Sequence, residues 1–241
     1  MSAAAPRTCA IAEAVFARFP DYLRGVLVAH GVHNGPSSPE LVALLREAEA
    51  SVRDRLPAEQ ITTHPRIASW RAAFKAQGIN PKDFRCSVEA MARRALKSQQ
   101  LPSINALVDI GNILSLRHLL PMGGHAIDHA RQGYVLRPAT GQESFVPFGS
   151  DQTEHPEPGE IIYAEGDVVL TRRWSWRQAN QSLTLPETTA IEFNLDGLPP
   201  VTRAELESIG AELAELVTRH CGGRIRMGML SAAEPSLSME P

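Results

Sequence analysis

The chain has 241 residues, 43% of them hydrophobic and only 5% aromatic, with a net charge of −3, so it can build a sizeable core from aliphatic side chains. No window approaches the ~18 consecutive apolar residues of a membrane span, and MSAAAPRTCAIAEA lacks a charged-then-apolar leader pattern; a soluble cytoplasmic protein with no membrane partner is expected. Cys9, Cys86 and Cys221 lie far apart without CxxC spacing, which argues against a zinc site or a disulfide framework; no metal and no cofactor are expected.

In chain order, CAIAEAVFARFP and YLRGVLVAHGV read as strands of an early hairpin, with helix open for the first. Ser38 and Pro39 start a helix running to about Leu56. A second helix follows His64-Pro65 and ends near Gly78. Ser87 is expected to cap a third, SVEAMARRALKSQQ, whose charges follow the helix dipole. Between Arg66 and Lys97 eight basic residues stand against Asp83 and Glu89, a local +6 that leaves −9 elsewhere. That stretch could hold a polyanion, although two amphipathic helices with solvated basic faces would look the same.

A central helix is expected from about Ile104 to Leu120, apolar nearly all round, with Asn105, Asp109 and Asn112 forming one polar stripe that burial obliges to bond something. Gly123-Gly124 then reads as a turn delivering His125 and Asp128. Strands are expected at Tyr134 to Pro138, Glu160 to Glu165, Val168 to Thr171 and Thr189 to Leu195, with 140–159 as a surface loop. Thr202 caps a last helix that stops at Gly222-Gly223, RIRMGML returns to the sheet, and 231–241 reads as a flexible tail after a single domain over 1–230. The pattern is α+β, with helices packed on a mixed or antiparallel sheet.

Several constellations invite chemistry. His125, Asp128 and His129 could suggest a metal, but HxxxH needs a helix and the glycines favour an extended segment. Arg172-Arg-Trp-Ser-Trp-Arg177 would set both tryptophans on one face of an extended segment, as a stacking platform or as padding for the sheet. Glu192 alternates with Ile191 and Phe193, which ordinarily turns such a residue to solvent. GxSxG and Walker-type loops are absent.

The runs LVDIGNILSL, GGHAID, YVLRPATGQESF, IIYAEGDVV and TTAIEF, in that order, resemble the B3/B4 domain of the bacterial phenylalanyl-tRNA synthetase beta subunit, best over 85–200, and RRWSWR is similar to free-standing B3/B4 proteins. The resemblance implies an editing hydrolase that cleaves the ester of misacylated tRNA in trans, with His125, Glu192 and Asn112 around a protein-positioned water and tRNA as partner. On this reading Asp109, Arg137, Trp174, Trp176, Thr188 and Thr189 would wall the substrate pocket. Arg85, Arg93, Arg94, Lys97, Arg172, Arg173 and Arg177 would hold the tRNA. WSWRQANQS replaces a glycine-rich stretch, which suggests a smaller amino acid or a different ligand altogether, and the Asn112 to His125 spacing is two residues longer than in the synthetase motif. The alternatives are a non-catalytic module of the same fold that binds tRNA or an amino-acid-like ligand, and a structural partner of a larger complex.

Overall fold

Local signals start the helices after Ser38, His64 and Thr202 where expected, and long-range pairing decides the strands. The computed structural model describes residues 6–241. The chain runs β1 (Thr8–Ile11), α1 (Glu13–Arg18), β2 (Leu23–His30), α2 (Pro39–Arg55), α3 (Pro65–Ala76), α4 (Ser87–Leu96), α5 (Ala106–His118), β3 (Met122–Ala126), β4 (Tyr134–Pro138), β5 (Ile161–Glu165), β6 (Val168–Arg172), β7 (Arg177–Gln178), β8 (Ala190–Gly197), α6 (Arg203–Cys221), β9 (Arg224–Leu230) and β10 (Ser236–Ser238). This is an α+β fold. Among the described residues no helix is long and apolar enough to cross a membrane.

One sheet has the order β10-β1-β4-β5-β6-β7 and the other β3-β8-β2-β9. The second is antiparallel throughout, and its central pair joins the first and last thirds of the chain, β2 beside β8. All of β8 is buried, so it is covered on both faces. Ile191, Phe193 and Leu195 take the face toward α5: a Cβ on Gly111 of that helix would stand 3.4 Å from the Phe193 ring. Glu192, Asn194 and Asp196 therefore face the space between the sheets.

Several expectations change. The central helix begins at Ala106 because Asn105 is its cap, accepting from the Val108 N–H at 3.1 Å. It ends where Leu119 turns left-handed at φ 51°. Gly123 and Gly124 form no turn but lie in β3, where a Cβ would stand 3.1 Å from Asn194 or from Ile191. Cys86, not Ser87, occupies the cap of α4. The segment expected to be a flexible tail adds β10 to the sheet: Ser236–Ser238 pair with β1 and Met239 is buried.

Thr202 and Glu205 close a reciprocal capping box at the start of α6. Thr202→Ala should lower stability by about 1 kcal/mol, read as a lower urea midpoint at unchanged slope; an unshifted midpoint would show that the cap is idle.

Candidate functional site

The site begins with a register. His125 of β3 stands directly opposite Glu192 of β8, and opposite residues in an antiparallel pair share a face. Both side chains thus point between the sheets. His125 is 2% exposed, with Nδ1 at 2.7 Å from Ser182 Oγ and Nε2 at 3.4 Å from Thr171 Oγ1. Gln178 braces this corner, donating to the carbonyls of Gly124 and Ser182, each at 3.0 Å. Burial, and then the charge of Arg24, pulls the His125 imidazole down to about 3. At neutral pH it is an uncharged hydrogen-bonding group and a weak base.

Glu192 is fully buried, with Oε2 at 3.5 Å from Asn194 Nδ2 and Oε1 without a partner among the described residues. Burial raises its carboxyl to about 7, opposed by Arg24. Beyond it lies a buried ion pair: Arg24 Nε donates to Asp196 Oδ1 at 2.7 Å and to Tyr22 Oη at 2.9 Å, and Tyr22 in turn donates to Asp196. The Arg24 guanidinium sits 4.7 Å from the centre of the Tyr163 ring.

Between the sheets is a cavity of about 170 Å³ lined by Arg24, His125, Tyr163, Thr171, Trp174, Ser175 and Asp196, among others. An apolar groove of about 420 Å³ lies beside it, lined by Gly111, Asn112, Phe148, Leu185 and Phe193. The two share Met122, Gly123, Trp176, Arg177 and Gln178 as a common wall. Ile104, Phe148 and Leu185 leave the groove's rim apolar and exposed.

The residues singled out in the sequence separate in space. His125 lines the polar cavity, Asn112 lines the groove, and Glu192 sits behind the cavity without lining it. Asp109 lines neither: it clamps the start of α5, accepting from Ser37 Oγ at 2.6 Å, Ser103 Oγ at 2.5 Å and the Ile104 N–H at 3.1 Å. Arg137 ties down its own loop through Glu143 and the Gly166 carbonyl. Thr188 closes a turn on the Leu185 N–H, and Thr189 is held by Asp128, which also disperses the His125–His129 constellation. The tryptophans do not share a face, because Arg173 and Trp174 are left-handed at φ 46° and 63°. Trp174 turns into the core, edge-on to Phe19, Tyr22 and Trp70 at 4.7 to 5.0 Å, and also lines the cavity. Trp176 stays half-buried in the shared wall.

The expected tRNA-holding set also divides. Arg172 is buried against Glu154 and Glu160, which rules it out as a surface contact. Arg173 lies over the Phe84 and Trp176 rings at 3.7 and 4.6 Å. Arg93 is spent with Arg71 on the buried Glu89. Arg177 borders both cavities, while Arg85, Arg94 and Lys97 remain exposed. Arg24, Tyr163, Asn194 and Asp196 were missed. Their one sequence signal is the alternation Glu192, Asn194, Asp196 in an otherwise apolar strand, which asks for a polar partner on the facing sheet.

The family described as B3/4 domain matches residues 69–222. No curated protein sequence matches the chain. Among solved structures, an N-terminal fragment of the phenylalanyl-tRNA synthetase beta-subunit from Pyrococcus horikoshii is similar at a TM-score of 0.48 and 8% identity, over 92% of this chain and 51% of the other. The chain thus spans about half the length of that fragment. With the family match covering most of the chain, the chain belongs to the B3/4 domain family.

Proposed function

We propose that the chain hydrolyses the aminoacyl ester of misacylated tRNA in trans, with the cavity between the sheets as its reaction site. The observation that carries this reading is a set of buried polar atoms on cavity-lining residues without partners among the described residues: Arg24 Nη1, Tyr163 Oη, Trp174 Nε1 and Ser175 Oγ. Such atoms are costly unless a polar guest meets them, so the cavity is suited to binding. The family's resemblance to the synthetase editing domain supplies the guest as an aminoacyl ester.

In this reaction water adds to the ester carbonyl, the bond to the ribose oxygen breaks, and that oxygen takes up the proton the water lost. Glu192, raised to about 7, has the acidity that suits carrying this proton at neutral pH. His125, held neutral, suits orienting the water or the substrate rather than acting as base. Asn112 would act in the groove, on the part of the substrate flanking the ester. A cavity of about 170 Å³ fits a small amino acid, in keeping with the bulk of WSWRQANQS.

The test is amino-acid release from a panel of misacylated tRNAs without ATP. Release should fall about 100-fold or more in Glu192→Gln, the size expected for a lost proton carrier; a broad panel left intact by wild-type protein overturns the proposal. One observation favours the rival reading, a binding module without catalysis: Glu192 does not line the cavity and Asn112 opens into the groove beside it. Under that reading aminoacyl-tRNA binds with equal affinity to wild type and Glu192→Gln, and neither turns over.

A further inference from the structure

A third pocket, of about 250 Å³, lies at the C-terminal end of α5 and is lined by Arg55, His64, Arg66, Arg117, His118 and Leu119. Every polar side chain in that lining is a nitrogen base, and among the described residues no carboxylate lines it. The end of α5 explains how the cations gather. Its last carbonyls have no helical partner and carry the negative end of the dipole. Arg55 donates to the carbonyls of Leu116, at 2.7 Å, and Arg117, and Arg66 donates to that of His118 at 2.5 Å.

Those carbonyls hold the guanidinium groups without neutralising them. Arg66 has Glu205 at 2.8 Å, and Arg117 and His118 share Glu212. Both carboxylates come from α6 and stand outside the lining, part-exposed at 44% and 30%. Among the described residues Arg55 has no carboxylate within ion-pairing distance, and His64 Nδ1 is buried without a partner. Burial first, and then neighbouring arginine charge, lower the proton affinity of both Arg55 and His64.

We propose that this pocket binds a phosphate group. Three guanidinium groups arriving from α2, α3 and α5 match a compact anion with several acceptor oxygens better than a planar carboxylate, which one fork would satisfy. The site stands apart from the proposed ester hydrolysis, although Leu119 lies just before Pro121 and Met122, which border the cavity between the sheets. The phosphate can come from a nucleic-acid backbone or from a small phosphorylated molecule, and the chemistry of recognition is the same.

The test is calorimetric titration of the full chain with inorganic phosphate and pyrophosphate against chloride at equal ionic strength. Binding should be saturable and weaken at least about tenfold in Arg66→Gln, which removes a charge-assisted hydrogen bond. It should strengthen about threefold in Glu212→Gln, which frees Arg117 and His118 from a part-exposed carboxylate and leaves the helix carbonyls untouched. Near-UV circular dichroism checks the fold of both variants, and the gain in Glu212→Gln remains decisive if Arg66→Gln does not fold. Phosphate held no better than chloride, or no gain in Glu212→Gln, overturns the proposal. Deacylated tRNA identifies the source: affinities that move with those of phosphate, and competition by phosphate, assign the site to nucleic acid. An unmoved tRNA affinity beside a moved phosphate affinity assigns it to a small phosphorylated ligand.

Discussion

Arg24→Met should cost about 3–5 kcal/mol of stability, the size of the penalty for leaving one member of a buried ion pair alone. Arg24 and Asp196 are 1% and 2% exposed, bonded at 2.7 and 3.3 Å. Methionine preserves the length of the side chain over Tyr163 but leaves the Asp196 carboxylate with Tyr22 as its remaining side-chain donor. The double variant Arg24→Met, Asp196→Leu should recover most of the loss, because the desolvation of the pair roughly offsets its attraction. Urea unfolding of the two singles and the double measures this. A cost below about 1 kcal/mol for Arg24→Met would mean that water reaches the pair. The double variant would also keep the fold while removing the cation from the cavity, which separates its structural part from any part in binding.

The second large effect is in the response to pH. Glu192 titrates at about 7 in the folded protein against 4.5 ordinarily, so the stability linked to it is present below pH 4.5 and is lost as pH rises through 7. His125 titrates at about 3 against 6.5, so its contribution is present above pH 6.5 and is lost as pH falls toward 3. From pH 4.5 to 6.5 the two slopes have opposite signs, each about 1.4 kcal/mol per pH unit. The wild-type curve should therefore be nearly flat in that window. Glu192→Gln should become less stable on acidification from pH 6.5 to 4.5, and His125→Gln less stable on alkalinisation over the same range. Urea midpoints at pH 5 and 6.5 suffice, and three parallel curves would show that neither group is held as its burial implies. The Glu192→Gln arm also checks that any loss of ester hydrolysis arises in a folded protein.

Short-range chemistry made much of the fold legible. The Ser38 cap with Pro39, the His64-Pro65 start and the Thr202 box mark helix starts that depend on neighbours within a turn, and Tyr134–Pro138 and Arg224–Leu230 form strands where expected. The capping role of Asn105 was less visible, since a cap and a buried stripe are written with the same residue types. Gly123-Gly124 misled for a similar reason: glycine serves a turn and a close strand approach equally, and only the bulk of Asn194, Ile191 and Phe193 opposite decides which.

By itself the sequence determined the longer helices, the α+β class, the family resemblance and the candidacy of His125 and Glu192, while CAIAEAVFARFP, read as a strand, holds both β1 and α1. Only the tertiary structure decided what surrounds them. Period-two alternation says that Glu192, Asn194 and Asp196 share a face, but whether that face is wet depends on a sheet built from distant strands. The same holds for charge: the basic run from Arg66 to Lys97 adds up to an apparent polyanion surface, yet Glu89 absorbs Arg71 and Arg93, while Arg66 joins Arg55 and Arg117 around the end of α5. Burial and ion pairing are set by long-range neighbours, and those neighbours meet only in the folded chain.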